Sequence, residues 1–114
     1  MNKYHARKVI VDGVTFDSQA EAYRYRELQL MQSAGEISNL HVHPRFIILD
    51  GFELNGKKER PIIYEADFMY NECGFHIVED VKGGAATQTP VFKLKRKMFL
   101  SRYKNNYVFR VVEK

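Results

Sequence analysis

One cysteine, Cys73, leaves no partner for an internal disulfide and too few thiolates for a zinc cage. That usage is expected of an intracellular protein. Tryptophan is absent, and three prolines in 114 residues are too few for a stiff linker. No apolar run exceeds about four residues, far short of the roughly 20 a membrane helix needs. The first eight residues lack the apolar stretch of a secretory signal. Repeats and low-complexity tracts are also missing, so a single domain over residues 1–114 is expected.

What is present is a globular composition, 45% hydrophobic and 28% charged, with a formal net charge of +4. The charge is unevenly placed. Residues 1–49 carry six basic and five acidic side chains, and residues 50–81 carry three basic and eight acidic. Residues 82–114 carry nine basic and one acidic. The basic third suits a polyanion such as nucleic acid, although a solvated lysine-rich helix has the same composition. The acidic middle needs its own reason.

The local signals order the chain. Val9–Val11, Asp12-Gly13 and Val14–Phe16 spell a β-hairpin with a two-residue turn, so residues 1–17 form an N-terminal hairpin unit. Ser18 with Glu21 makes a capping box that opens a helix running to about Ala34, where Gly35 stops it. Three strands follow, at about 41–49, 60–70 and 75–82, with turns at Asn55-Gly56 and near 71–74. Gly83-Gly84 breaks the third strand. Thr89-Pro90 opens a second helix to about Tyr103, and residues 107–112 make a last strand. Residues 18–114 thus read as αβββαβ, an α/β unit whose mixed sheet is flanked by two helices. The strand–helix–strand crossover places the last strand parallel to the third.

Alternation on the third strand puts His76, Val78, Asp80 and Lys82 on one face. On the second strand Asp67 falls with Ile63 and Glu65, opposite an apolar row of Ile62, Tyr64, Ala66, Phe68 and Tyr70. Neighbouring antiparallel strands bring Asp67 towards Asp80. Two converging carboxylates suit a hard cation such as Mg²⁺, and a nearby lysine suits the water and phosphate of a hydrolytic site.

Phe16-Asp17-Ser18-Gln19-Ala20-Glu21-Ala22, Ala66-Asp67-Phe68 and Glu79-Asp80-Val81-Lys82-Gly83 follow the patterns F-D-S-x-A-E-A, A-D-F and E-D-V-K-G. With the αβββαβ order, they resemble the PD-(D/E)xK nuclease superfamily, in particular small phage- and prophage-encoded proteins of that kind. The superfamily includes Holliday-junction resolvases and transposase-type nuclease subunits. Ala66 stands where the motif name has proline. An acid-x-Lys triplet alone arises about once by chance in such a chain; the element order, the strand faces and the spacing of Asp67 and Asp80 carry the likeness.

The resemblance implies a restriction-endonuclease-like core and Mg²⁺-dependent DNA cleavage, with Mn²⁺ able to substitute. It implies Asp67 and Asp80 as metal ligands, the Val81 carbonyl as a third, Lys82 as the catalytic lysine and Glu21 as the helix carboxylate. A phage origin implies action in the host cytoplasm, on recombination or replication intermediates such as Holliday junctions. Paired cuts on such DNA call for a homodimer, and a recombination or replication partner is conceivable. A non-catalytic nucleic-acid-binding or assembly protein with the same fold is the alternative. A subunit that cuts only with a specificity partner is a third reading.

Other residues stay open at this stage. The apolar arc Ala20, Tyr23, Leu30, Met31 and Ala34 is centred near Glu27, which competes with Glu21 as the inward carboxylate. On the second helix, Val91, Leu94 and Met98 form one stripe, and Phe92, Phe99 and Tyr103 another. Lys95 and Arg102 lie between them, and Lys93, Lys95, Arg96, Lys97 and Arg102 are expected to contact nucleic-acid phosphates, against the simpler reading of a solvated face. His5, His41 and His43 lack a complete ligand set, and the latter two read as strand-edge surface residues. His76 reads as a sheet histidine, and Tyr4 and Tyr25 are candidates for stacking.

Overall fold

A computed structural model describes residues 8–83 and 88–114. Tyr4, His5 and Gly84, named above, lie outside these. Two short strands, β1 (Val9–Val11) and β2 (Val14–Phe16), pair antiparallel. Asp12 and Gly13 between them take φ of +51° and +78°, the left-handed pair a tight two-residue hairpin requires. Helix α1 (Gln19–Ser33) starts at Ser18, whose Oγ accepts the Glu21 N–H at 3.2 Å. Gly35, at φ +80°, ends it, with the Gly35 and Glu36 amides closing on Gln32 and Met31.

The sheet strands are β3 (Ser38–Val42), β4 (Arg45–Leu49), β5 (Phe52–Leu54), β6 (Lys57–Glu59), β7 (Ile62–Glu65), β8 (Phe68–Glu72) and β9 (Phe75–Lys82). Helix α2 (Pro90–Tyr103) is capped by Thr89, which accepts the Phe92 N–H at 3.1 Å, and β10 (Val108–Glu113) follows. The central sheet runs β10-β9-β8-β3, with β10 parallel to β9 and the other pairs antiparallel. The described residues are therefore α/β with a mixed sheet and two helices, and the parallel last strand is as expected from the crossover. No helix among the described residues is long and apolar enough to cross a membrane.

Two expected strands are each broken in two. The segment 41–49 divides at His43-Pro44 and the segment 60–70 at Ala66-Asp67. The breaks face one another and are laced by main-chain bonds: His43 N–H to Asp67 O at 2.9 Å, Ala66 N–H to Pro44 O at 3.0 Å, and Asp67 N–H to Glu79 O at 3.2 Å. Beyond them β4 and β7 continue as a two-stranded ribbon, and β5–β6 is a further hairpin turning at Asn55-Gly56. The sequence reading has the turn but not the hairpin strands beside it.

The break also overturns the single apolar row. Tyr64 and Ala66 pack with Phe46, Val78, Phe92 and Phe99 beneath α2. Phe68 and Tyr70 pack with Phe16, Leu28, Ile77 and Val81 beneath α1. An interruption at Asp67 switches the chain from one face of the sheet to the other, so alternation cannot be counted through it. Phe16, Leu28, Phe68, Tyr70 and Phe99 are fully buried, and each contributes roughly 1.5–3 kcal/mol of apolar burial.

Candidate active site

The edge left by these breaks is a cleft of about 500 Å³. Strand β9 supplies its base. Glu79, Asp80 and Val81 are consecutive and buried, so alternation sends Asp80 and Lys82 towards α2 and Glu79 towards α1. The Tyr64 hydroxyl donates to Asp80 Oδ2 at 2.6 Å, and Lys82 Nζ lies 3.7 Å from the same oxygen. The lysine also sits 3.7 Å above the Phe92 ring, which restricts where its ammonium can go. Burial, and then the charge of Asp80, push the Tyr64 phenol far above its ordinary pKa, so it stays a donor.

Asp67 sits at the strand break, and its Oδ2 accepts the Val81 N–H at 2.7 Å. The contact shown for Val81 thus runs through its amide, whereas the expected role is its carbonyl's. Burial, followed by the hydrogen bond with Asp80 and the charges of Asp80 and Glu21, pushes the Asp67 carboxyl up to about 10. Glu21 enters from the first turn of α1. Burial and the neighbouring Asp17 raise its pKa as well. Carboxylates crowded out of water and onto one another lack positive charge, which is the condition a bound cation relieves.

The cleft brings together Glu21, Asp67, Asp80, Val81, Lys82 and Lys95. The Lys95 ammonium donates to the Ile63 carbonyl at 3.1 Å. The remaining predicted phosphate contacts lie elsewhere. Arg102 is paired with Asp50 at 3.0 Å, Arg96 covers the Phe109 ring, and Lys93 and Lys97 are exposed on the outer face of α2. Of the two α2 stripes, Phe92, Phe99 and Tyr103 pack on the core, while Val91 and Leu94 face outward.

Glu27 is not among the residues that line the cleft. It is 2.6 Å from Lys114 and 3.3 Å from Arg24, and Lys114 above all lowers its pKa. The arc that favoured it was anchored on Tyr23 and Leu30, which are 60% and 72% exposed. The buried face of α1 is centred on Leu28, and Glu21, seven residues earlier, lies on that face. Tyr25 packs on Phe16 and stacks on Phe68.

Three cleft residues escaped the sequence reading. His43, taken there for a strand-edge residue, lies with Nε2 3.9 Å from Glu21 Oε1. The donor atoms of Glu21, His43 and Asp67 all fall within 4.8 Å of one another. Arg45 lines the wall next to them. Tyr64 was counted as core only. The signal for His43 was the proline after it, which disfavours a continuous strand. Two oxygen donors and an imidazole, with Asp80 beside them, form a donor set that fits a divalent cation such as Mg²⁺ or Mn²⁺.

Behind the cleft, the fully buried Glu79 is held by Arg24 through Nε at 2.7 Å and a second nitrogen at 2.9 Å, and by the Tyr70 hydroxyl at 2.6 Å. Burial and Glu79 push Tyr70 up to about 12, and the bonds to Glu79 hold Arg24 firmly charged. This network ties β9 to α1 and so fixes Asp80 relative to Glu21.

Residues 1–113 match the family described as "Protein of unknown function (DUF1064)", and the chain belongs to that family. No curated protein and no solved structure matches the chain.

Proposed function

We propose that this member of the DUF1064 family is a divalent-metal-dependent DNA endonuclease with a restriction-endonuclease-like core of the PD-(D/E)xK type. The carrying observation is the convergence, in one cleft, of Glu21 from α1, Asp67 from the break between β7 and β8, and Asp80 and Lys82 from β9. Asp67 and Asp80 would hold the cation, with Glu21 beside them. A cation there supplies Lewis-acid polarisation of a phosphoryl oxygen and a more acidic bound water. The protein's own part is positioning. Tyr64 and Lys82 engage one oxygen of Asp80, and the Val81 amide fixes Asp67. Lys82 would orient the attacking water and offset charge developing on the phosphate. Lys95 and Arg45 supply positive charge along the wall where a phosphodiester would lie.

A branched substrate such as a Holliday junction fits a protein of this size acting as a homodimer, each protomer cutting one strand. Phage recombination or replication is the setting the resemblance supports. The test uses labelled branched, flapped and linear DNA with Mg²⁺, Mn²⁺ or EDTA. Metal-dependent cutting that falls by about 10³-fold or more in Asp80→Asn is expected. Binding without metal-dependent cutting of any substrate supports instead a non-catalytic nucleic-acid-binding protein.

A further inference from the structure

We propose that His43 is a direct ligand of the cation in this cleft, so that the site favours Mn²⁺, which accepts an imidazole readily, over Mg²⁺. The proposal rests on the reading of the cleft as a cation site and adds a nitrogen donor to it.

Geometry is the first argument. His43 Nε2 lies 3.9 Å from Glu21 Oε1, and an Asp67 oxygen lies within 4.8 Å of both. Two donors bonded to one ion at about 2.1–2.2 Å stand roughly 3–4 Å apart. The His43–Glu21 separation already falls in that range, and a small side-chain shift brings the Asp67 oxygen into it. His43 is also joined to Asp67 through the backbone, its N–H donating to the Asp67 carbonyl at 2.9 Å. That bond holds the two main-chain segments side by side.

The way the chain aims this ring is the second argument. Strict alternation would put His43 on the face of His41, which lines a hollow with Met69 and Tyr107. His43 instead takes φ +56°, a left-handed conformation that costs a non-glycine residue about 1 kcal/mol or more. The turn moves the imidazole to the opposite side, 5.7 Å from the Phe16 ring and facing Glu21. With its side chain 30% exposed, the ring is open to the cleft rather than sealed in the core.

Chemistry gives the preference. Mg²⁺ holds water and hard oxygen donors in strict octahedral geometry and gains little from an imidazole. Mn²⁺ keeps oxygen ligands but binds nitrogen more strongly, as the ordering of divalent ions leads one to expect. A site of two carboxylates alone would not draw that distinction as strongly.

The experiment measures binding, not cutting. The full-length protein and its His43→Gln, His41→Gln and Asp67→Asn variants are titrated with Mn²⁺ and with Mg²⁺ by calorimetry. Pulsed EPR then reads nitrogen modulation on the bound Mn²⁺, and thermal melts verify folding. The expected result is ¹⁴N modulation in wild type and His41→Gln that disappears in His43→Gln. Mn²⁺ affinity should fall at least about 10-fold in His43→Gln while Mg²⁺ affinity changes by less than about 3-fold. Tight Mn²⁺ binding that Asp67→Asn abolishes but His43→Gln leaves unchanged, without ¹⁴N modulation, overturns the proposal and leaves the carboxylate site standing. Wild-type protein that binds neither ion overturns both.

Discussion

If the crowded carboxylates are kept for function at the expense of the fold, replacing one ionisable group by a neutral one should stabilise the metal-free protein. Asp67→Asn is the cleanest perturbation. The asparagine is nearly isosteric, and its side-chain carbonyl can still accept the Val81 N–H that Asp67 accepts at 2.7 Å. Its amide can donate to Asp80, the neighbour whose hydrogen bond and charge help to raise the Asp67 carboxyl. The Asp67 carboxyl is raised from 3.8 to about 10 by burial and by its acidic neighbours. A raised acid supports the fold fully below its unfolded pKa, and that support is lost as pH climbs through the folded value. Each pH unit above 3.8 costs about 1.4 kcal/mol, giving a ceiling of about 4 kcal/mol at pH 7. Water and counter-ions in an open cleft reduce this to about 2 kcal/mol. For a chain of this length that is a Tm rise of roughly 6–10 °C in EDTA at pH 7. The same variant should lose the Tm increase that excess Mn²⁺ gives wild type, about 2.7 kcal/mol at one hundred times Kd. In EDTA the wild-type Tm should fall between pH 5 and pH 9 while the Asp67→Asn profile stays flatter. Melting curves across that range check it. A variant that melts below wild type in EDTA at pH 7 would refute the reasoning, since Asp67 would then be a structural anchor rather than a strained ligand.

Glu79→Ala should cost about 3–5 kcal/mol in urea unfolding, because it leaves the Arg24 guanidinium and the Tyr70 hydroxyl without their buried partner; a loss under about 1 kcal/mol would mean the network is slack. Glu21→Gln should reduce cutting by about 10²-fold or more, whereas Glu27→Gln should leave it within about 3-fold and lower Tm slightly through the lost Lys114 and Arg24 contacts. The reverse order would restore Glu27 as the site carboxylate. Lys95→Ala should weaken DNA binding at low salt and reduce the slope of log K against log[salt] by about one, as one phosphate contact fewer requires; an unchanged slope would place Lys95 off the DNA.

What the sequence disclosed depended on how local each signal was. The hairpin at Asp12-Gly13, the caps at Ser18 and Thr89 and the parallel crossover to β10 all follow from residues adjacent in the chain or from chain topology. The strand breaks do not. Their cause is tertiary: Pro44 and Asp67 interrupt two neighbouring strands at the same level, and their carbonyls accept the Ala66 and His43 N–H groups across the gap. Once the ladder is broken, counting by twos past Asp67 gives the wrong face, so Tyr64 was hidden as core and His43 as surface. Glu21 shows the opposite relation. Helical periodicity misplaced it because Tyr23 and Leu30 are apolar yet exposed, and the motif around Ser18 placed it better than hydrophobicity did. The interruption that defeated the sequence reading is also what opens the cleft. An unbroken pair of strands would spend the Asp67 position on ladder and core packing, with nowhere for Glu21, His43 and Asp67 to meet. Irregular backbone and converging charge are one feature here, and a site of this kind is least legible where it is most specialised.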